Sequence, residues 1–218
     1  MENRLPRLRI VLAGCLGAIL LAAGPGRAGT LDAVRARGHI VVGVSEGAAG
    51  FAGPDAQGAW RGLEVDAARA MAAAVFGHAD RLAFVPLTPQ NRFTALQAGE
   101  VDVLMGNLTR TLTRDTALGL AFAHVTFYDG QAFMVPRRLG VTSARGLNGT
   151  TVCVLAGSSA EFTAADYFRA GRMMLKPVVM DTASGLRQAF FTGRCDCVTA
   201  DVSRLAEMRA TAANPEDY

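Results

Sequence analysis

The alternation of apolar and polar segments along residues 29–98 predicts strands separated by helices. Residues 30–38 carry a capping threonine, an early aspartate, late arginines and a closing glycine, which together indicate a short helix. Residues 39–44 form a β-branched run that is typical of a buried strand, and the glycine-rich residues 45–61 are predicted to form a long loop. The pattern then predicts helices at 63–76 and 91–98, and strands at 82–87 and 101–104.

The same order of elements restarts in the second half of the chain. Residues 127–136 are apolar and extended and precede Arg137 and Arg138, so they are predicted to cross between two domains. Beyond them the pattern predicts strands at 151–155, 175–180 and 197–200, and helices at 159–170, 184–192 and 202–210. Strands that alternate with helices predict parallel sheets, and hence an α/β protein of two similar halves.

Residues 1–28 have the composition of a secretory signal peptide. A basic start that includes Arg4 precedes an apolar run at 10–23 and small residues around Ala28. The run is too short to span a bilayer comfortably. A lipoprotein cleavage site before Cys15 is an alternative, but only three apolar residues directly precede its small-residue motif. We therefore expect a cleaved signal and an exported protein.

The basic charge of the chain belongs mostly to this N-terminal segment. Residues 1–28 hold four of the 22 Lys and Arg residues and one of the 19 Asp and Glu residues. The remainder therefore has 18 residues of each sign and is neutral. A neutral chain gives no indication of nucleic acid or an anionic membrane as a partner.

Three cysteines lie outside that segment, at Cys153, Cys195 and Cys197. In an oxidising compartment, an odd number predicts one disulfide and one remaining thiol. Three buried thiols are the alternative, because buried cysteine behaves as a small hydrophobic residue.

Polar residues follow the predicted strand ends in both halves. In open α/β sheets, ligands bind beyond the carboxyl ends of the strands. The residues at or beyond such ends are Asn107, Thr109, Arg114, Ser158, Ser159 and Asp201. These six form the candidate binding site.

Each candidate also has a purely structural interpretation. Arg114 offers a planar fork of donors for a carboxylate, or it pairs with Asp115 on the surface. Ser159 and the backbone N–H groups around it stand at a helix start, where they attract an anion or cap the helix. Asp201 is either the counter-ion of an ammonium group or another helix cap. Asn107 and Thr109 are also ordinary turn residues.

The sequence indicates no catalytic set, metal site or cofactor. Its three histidines, His39, His78 and His124, lie far apart with no ligand spacing. Neither a G-x-S-x-G motif nor a phosphate-binding loop occurs.

Seven segments spread over the chain carry a resemblance to a known family. They are residues 29–38 (GTLDAVRARG), 84–87 (FVPL), 92–96 (RFTAL), 115–120 (DTALGL), 128–131 (YDGQ), 133–136 (FMVP) and 193–196 (GRCD). With these segments the chain resembles the periplasmic solute-binding proteins of amino-acid ABC transporters (family 3), and in particular the general L-amino-acid-binding branch. The resemblance implies a two-lobe fold of the periplasmic-binding-protein type II. It further implies a monomer that binds an L-amino acid and delivers it to an inner-membrane ABC permease.

The resemblance also assigns roles to individual residues. It places the ligand carboxylate on Arg114, Thr109 and Ser159, and the ligand ammonium on Asp201. It pairs Cys153 with Cys195 and leaves Cys197 as the extra thiol, with a Cys153–Cys197 bridge as the alternative.

Three departures from the family pattern are visible. Ala48 and Ala49 stand near where relatives often have an aromatic residue over the ligand, which leaves Phe51 as the nearest candidate wall. Leu63 and Glu64 replace an aromatic residue and an aspartate. Family members continue well beyond Tyr218, so we expect the first lobe to be incomplete in this chain.

The expected domain organisation follows from these observations. Residues 1–28 are the signal peptide, 29–136 the first lobe with a crossing strand at its end, 137–212 the second lobe, and 213–218 the start of a return segment. Two alternative functions remain. One is a secreted dehydratase-like enzyme on the same fold, with Glu46 or Asp129 as general acid or base. The other is a non-functional truncated remnant.

Overall fold

The computed structural model describes residues 29–45 and 50–218. The predicted signal peptide, the lipidation site at Cys15, Glu46 and the two alanines Ala48 and Ala49 lie outside these residues. The contacts divide the chain into two units, the first ending at Gly38. The described part of the first unit is the helix α1 (Thr30–Arg37), which ends as predicted at Gly38 in the left-handed conformation, φ 84°.

The first half of the second unit is built on a three-stranded parallel sheet. Its elements are β1 (Ile40–Ser45), β2 (Gly53–Pro54), β3 (Trp60–Arg61), α2 (Leu63–Phe76), β4 (Leu82–Leu87), α3 (Arg92–Ala98), β5 (Val103–Leu104) and α4 (Leu112–Thr116). The central strand β1 lies between β4 and β5, and its Val42 is opposite both Phe84 and Val103. The predicted strands and helices of this half are confirmed to within a few residues.

Two short features of this half escaped the sequence patterns. β2 and β3 form an antiparallel pair within the stretch predicted to be a loop. The helix α4 has five residues, too few for a periodic pattern, and Thr111 caps it by accepting a hydrogen bond from the N–H of Arg114.

The second half is built on a four-stranded sheet with the order β6-β9-β7-β8. Its elements are β6 (Gln131–Met134), β7 (Thr151–Leu155), α5 (Ser159–Ala170), β8 (Lys176–Met180), α6 (Ala183–Phe191), β9 (Cys197–Asp201) and α7 (Val202–Ala210), with 3-10 turns at Arg137–Leu139, Ala144–Leu147 and Pro215–Asp217. β7, β8 and β9 are parallel, whereas β6 is antiparallel to β9. The crossing strand β6 thus pairs with the second sheet. We call the regions built on the two sheets the first lobe and the second lobe.

The cysteines lie on opposite faces of the second sheet. Cys153 in β7 and Cys195 before β9 form a disulfide with a Cα–Cα distance of 5.7 Å, and they pack in one core with Phe190. Cys197 is buried in the other core, beside Phe168. Cys197 is paired with Val152, the neighbour of Cys153 in β7. Because successive residues of a strand face opposite ways, Cys197 points away from Cys153. The predicted Cys153–Cys195 pair is confirmed, and burial raises the pKa of the Cys197 thiol to about 11.

No helix within residues 29–45 and 50–218 is both long enough and apolar enough to cross a membrane.

Candidate functional site

In the first lobe, the backbone at the end of β1 and the backbone that follows β5 lie against each other. Ser45, the last residue of β1, donates its hydroxyl to the carbonyl oxygen of Gly106 at 2.5 Å. A side chain at Gly106 would meet the backbone nitrogen of Ser45 at 2.3 Å, and the φ of Gly106 is +141°. Only glycine fits both conditions. This turn fixes where Asn107 leaves the sheet.

Asn107 bridges one buried and one half-buried carboxyl group. It has a φ of 51°, a left-handed conformation that asparagine tolerates better than most residues. Its backbone N–H donates to Glu64 Oε1 at 3.2 Å, and its side chain forms a hydrogen bond with Asp201 in the second lobe. Burial raises the pKa of the Glu64 carboxyl, against the effect of the N–H groups of Asn107 and Gly106. Asn107 therefore links the first lobe to the acidic end of β9.

Asp201 is directed into the site instead of capping its own helix. It occupies the position before α7, but its side chain makes no capping hydrogen bond. Burial and the nearby Asp129 raise the pKa of the Asp201 carboxyl, and the hydrogen bond from Asn107 opposes the rise. Arg204 and Arg114 oppose it further. A half-buried carboxylate in this position can pair with a cationic group.

Arg114 is buried, with 7% of its surface exposed. Its Nη1 donates to the carbonyl oxygen of Thr109 at 2.7 Å, and its Cζ lies 5.2 Å from the centroid of the Phe93 ring. Asp115 pairs instead with Arg110 at 2.7 Å, so the expected surface alternative for Arg114 is not what is observed. Burial lowers the pKa of Arg114, and the charge of Asp201 opposes this.

Two hydroxyl groups meet between the lobes. Thr109 Oγ1 and Ser159 Oγ are 2.8 Å apart. The cap of α5 is Ser158, whose hydroxyl accepts from the N–H of Glu161 at 3.2 Å. Ser159 is therefore left to face Thr109. A second hydrogen bond between the lobes runs from Gln90 Nε2 to the carbonyl oxygen of Asp181, at 3.4 Å.

A cavity of about 560 Å³ lies where the strand ends of both lobes meet. Of the six predicted site residues, Asn107, Ser158, Ser159 and Asp201 line it, and Thr109 and Arg114 are attached to that lining by the contacts above. The sequence reasoning missed three cationic lining residues, Arg92, Arg187 and Arg204. Arg92 had a usable signal, because it closely follows the carboxyl end of β4. Arg187 and Arg204 lie within α6 and α7 and had no such signal.

Of the two residues predicted as general acid or base of an enzyme, Asp129 is the one that the structure describes, and it does not line this cavity. Asp129 accepts hydrogen bonds from the N–H of Gly130 at 2.8 Å and from the N–H and hydroxyl of Ser203. Among the residues described, no three His, Cys, Asp or Glu side chains come close enough together to hold a metal ion.

Comparison with known proteins identifies the family. Residues 40–143 match the bacterial extracellular solute-binding proteins, family 3. The chain belongs to this family. Among its relatives is the general L-amino acid-binding periplasmic protein AapJ of Rhizobium johnstonii, 44% identical over 220 residues, which are 100% of this chain and 63% of the relative. Another is the glutamate/glutamine/aspartate/asparagine-binding protein BztA of Rhodobacter capsulatus, 48% identical over 205 residues, or 94% of this chain and 60% of the relative.

A solved structure of a relative has the same fold as this chain. The ABC transporter/periplasmic binding protein of Brucella ovis, solved with glutathione bound, superposes with a TM-score of 0.82 at 47% identity. The superposition covers 88% of this chain and 60% of that protein. The predicted two-lobe fold is therefore confirmed, and the chain spans 60–63% of the length of these relatives.

Proposed function

We propose that this protein binds an L-amino acid in the periplasm and delivers it to an ABC permease of the inner membrane. The observation that carries the proposal is the convergence of both lobes on one cavity that contains Asp201 and, at its edge, the Thr109–Ser159 hydroxyl pair. A zwitterion needs one group of donors and one anion, and this cavity has both. The names of AapJ and BztA, as binding proteins for amino acids, support the same substrate class.

In the proposed binding mode, Arg114, Thr109 and Ser159 hold the α-carboxylate and Asp201 holds the ammonium group. A carboxylate gains most from charge-assisted hydrogen bonds in a site that excludes water, and Arg114 is buried enough to supply them. Asn107 orients Asp201, and Ser158 fixes the first turn of α5 beneath Ser159.

We also infer the organisation of the chain around this site. Residues 1–28 act as the signal peptide, 29–136 make the first lobe together with the crossing strand, and 137–212 make the second lobe. The neutral charge of residues 29–218 gives no indication of a nucleic-acid partner. We infer a monomer whose partners are a small ligand and a permease.

Titration calorimetry with a panel of L-amino acids tests the proposal, with the D-enantiomers as controls. We expect at least one L-amino acid to bind and its D-enantiomer to bind much more weakly. A folded chain that binds none of them would contradict the proposal. Recovering the ligand after long incubation separates binding from catalysis, because an enzyme would return a changed compound and a binding protein would not.

A further inference from the structure

One buried cation has no part in the binding mode above. Arg92, the first residue of α3, has only 6% of its surface exposed, and its Nε has no hydrogen-bond partner among the described residues. Its Cζ lies 5.0 Å from the centroid of the Phe93 ring, and the residue lines the cavity. A buried donor without a partner is costly, and in a cavity wall it indicates a group that a ligand satisfies.

The charges around Arg92 do not balance once a zwitterion is bound. Burial and the nearby Arg114 lower the pKa of Arg92 to about 10, and Asp201 is the carboxylate that opposes them. In the proposed binding mode, the ligand ammonium group pairs with Asp201 and the α-carboxylate pairs with Arg114. An amino acid with a neutral side chain would then leave Arg92 without an anionic partner of its own.

The rest of the cavity wall has the same excess of positive charge. Arg187 and Arg204 line it from α6 and α7, whereas Asp201 is the one acidic residue among its described lining residues. Glu207 pairs with Arg187 from behind the wall. A cavity lined mostly by one sign of charge favours a ligand of the opposite net charge.

We propose that Arg92 binds a second carboxylate, on the side chain of the ligand, and that the site therefore selects acidic L-amino acids over their amides. This inference rests on the proposed function and adds the substrate class. Glutamate and glutamine are matched probes, because they differ in the charge of one terminal group and hardly in size.

The test is calorimetry of both probes on the full chain, purified from the periplasm of an expression host, and on Arg92→Gln. We expect the unaltered protein to bind glutamate more tightly than glutamine. Arg92→Gln should weaken glutamate binding by about 30-fold or more, the usual loss when one partner of a buried charge pair is removed. Its glutamine affinity should fall by a clearly smaller factor, because the loss there is a hydrogen bond to a neutral amide oxygen and not a buried charge pair.

Two controls accompany the experiment. Arg169→Gln removes an exposed arginine that pairs with Asp166 on the second lobe, and it should leave both affinities unchanged. Arg92→Lys keeps the charge without the planar fork, and it should recover part of the glutamate affinity. Retained glutamine binding by Arg92→Gln shows that this variant is folded.

Each other outcome has a definite meaning. Equal losses for glutamate and glutamine would assign Arg92 to the α-carboxylate or to the fold and would overturn the inference. A preference of the unaltered protein for glutamine would overturn it as well, even if Arg92→Gln cannot be purified. In both cases the proposed function stands, since an amino acid still binds. If the unaltered protein binds no amino acid at all, the proposed function itself fails.

Discussion

The side-chain hydroxyls of Thr109 and Ser159 lie 2.8 Å apart and connect the first lobe to the first turn of α5 in the second. Thr109 also offers its carbonyl oxygen to Arg114 Nη1 at 2.7 Å, so one residue positions both a hydroxyl and a buried guanidinium. A carboxylate that replaces the hydroxyl–hydroxyl contact would find these donors already aligned. Such pre-organisation reduces the entropy lost on binding.

Removing either hydroxyl should weaken amino-acid binding. Thr109→Val and Ser159→Ala should each lower the affinity by about 10-fold to 150-fold, because one hydrogen bond to a charged group contributes roughly 1.5–3 kcal/mol. The double variant should lose less than the sum, since the two groups share one partner. Calorimetry measures all three affinities. Thr116→Val is the matched control, because that hydroxyl bonds to Leu112 O within α4. Unchanged affinity in both single variants would contradict the assignment.

Two arginines of the same segment should differ sharply in their effect on binding. Arg114→Ala should cost about 2–5 kcal/mol of binding free energy, because it removes one member of a buried charge pair. Arg110→Ala should cost less than about 1 kcal/mol, because Arg110 pairs with Asp115 at the surface and its side chain is 54% exposed. Titration of the best-binding amino acid into each variant gives the comparison. Similar losses in both would argue against Arg114 as the carboxylate ligand.

The ionised carboxylate of Asp201 should favour ligand binding but lower the stability of the folded protein. Its folded-state pKa is raised above the ordinary value of 3.8, so the native state holds this proton more tightly than the unfolded state does. The contribution of the protonated Asp201 carboxyl to the free energy of unfolding is complete below pH 3.8, and it is lost as the pH rises through the raised pKa. At neutral pH, Asp201→Asn should therefore unfold at equal or higher urea concentration than the unaltered protein, yet bind amino acids much more weakly.

The same carboxyl predicts how binding depends on pH. The ligand ammonium pairs only with the ionised form, so the affinity should fall as the pH is lowered through the raised pKa of Asp201. Calorimetry from neutral to mildly acidic pH measures this. Asp166→Asn, at an exposed ion pair, is the control for both effects and should change neither. A less stable Asp201→Asn with full affinity would contradict both predictions.

The sequence predicted the regular elements because their patterns are local. The helices Leu63–Phe76 and Ser159–Ala170 and the strands Leu82–Leu87 and Thr151–Leu155 lie where the apolar periodicity predicts them. The pairing of Gly53–Pro54 with Trp60–Arg61 was missed, since two-residue strands have no period to detect.

The candidate site was predicted in part for the same reason. Asn107, Ser159 and Asp201 follow strand ends, which the general geometry of α/β sheets brings together. Arg187 and Arg204 reach the cavity from the middle and the first turn of helices, where an arginine usually indicates a solvated face. Their place in the wall depends on how the helices pack against the sheet, which no local pattern encodes.

The Cys153–Cys195 disulfide should stabilise the second lobe considerably. It closes a segment of 42 residues that holds α5, β8 and α6, and in the chain-entropy model such a closure contributes about 4 kcal/mol. Replacing both cysteines by alanine should lower the free energy of unfolding by about this amount, as measured by urea titration. Reduction of the unaltered protein should have a similar effect.

Cys197 provides the control, because it is fully buried but unpaired. Cys197→Ala should cost only about 1 kcal/mol, the range for losing a small buried group, and should leave the bridge intact. After denaturation without reductant, a thiol reagent should label Cys197 but neither Cys153 nor Cys195. Labelling of Cys195 together with protection of Cys197 would mean that Cys153 had paired across the sheet. That outcome would require the two cores of the second lobe to exchange a side chain, which is opposed by the pairing of Cys197 with Val152, on the other face of β7 from Cys153.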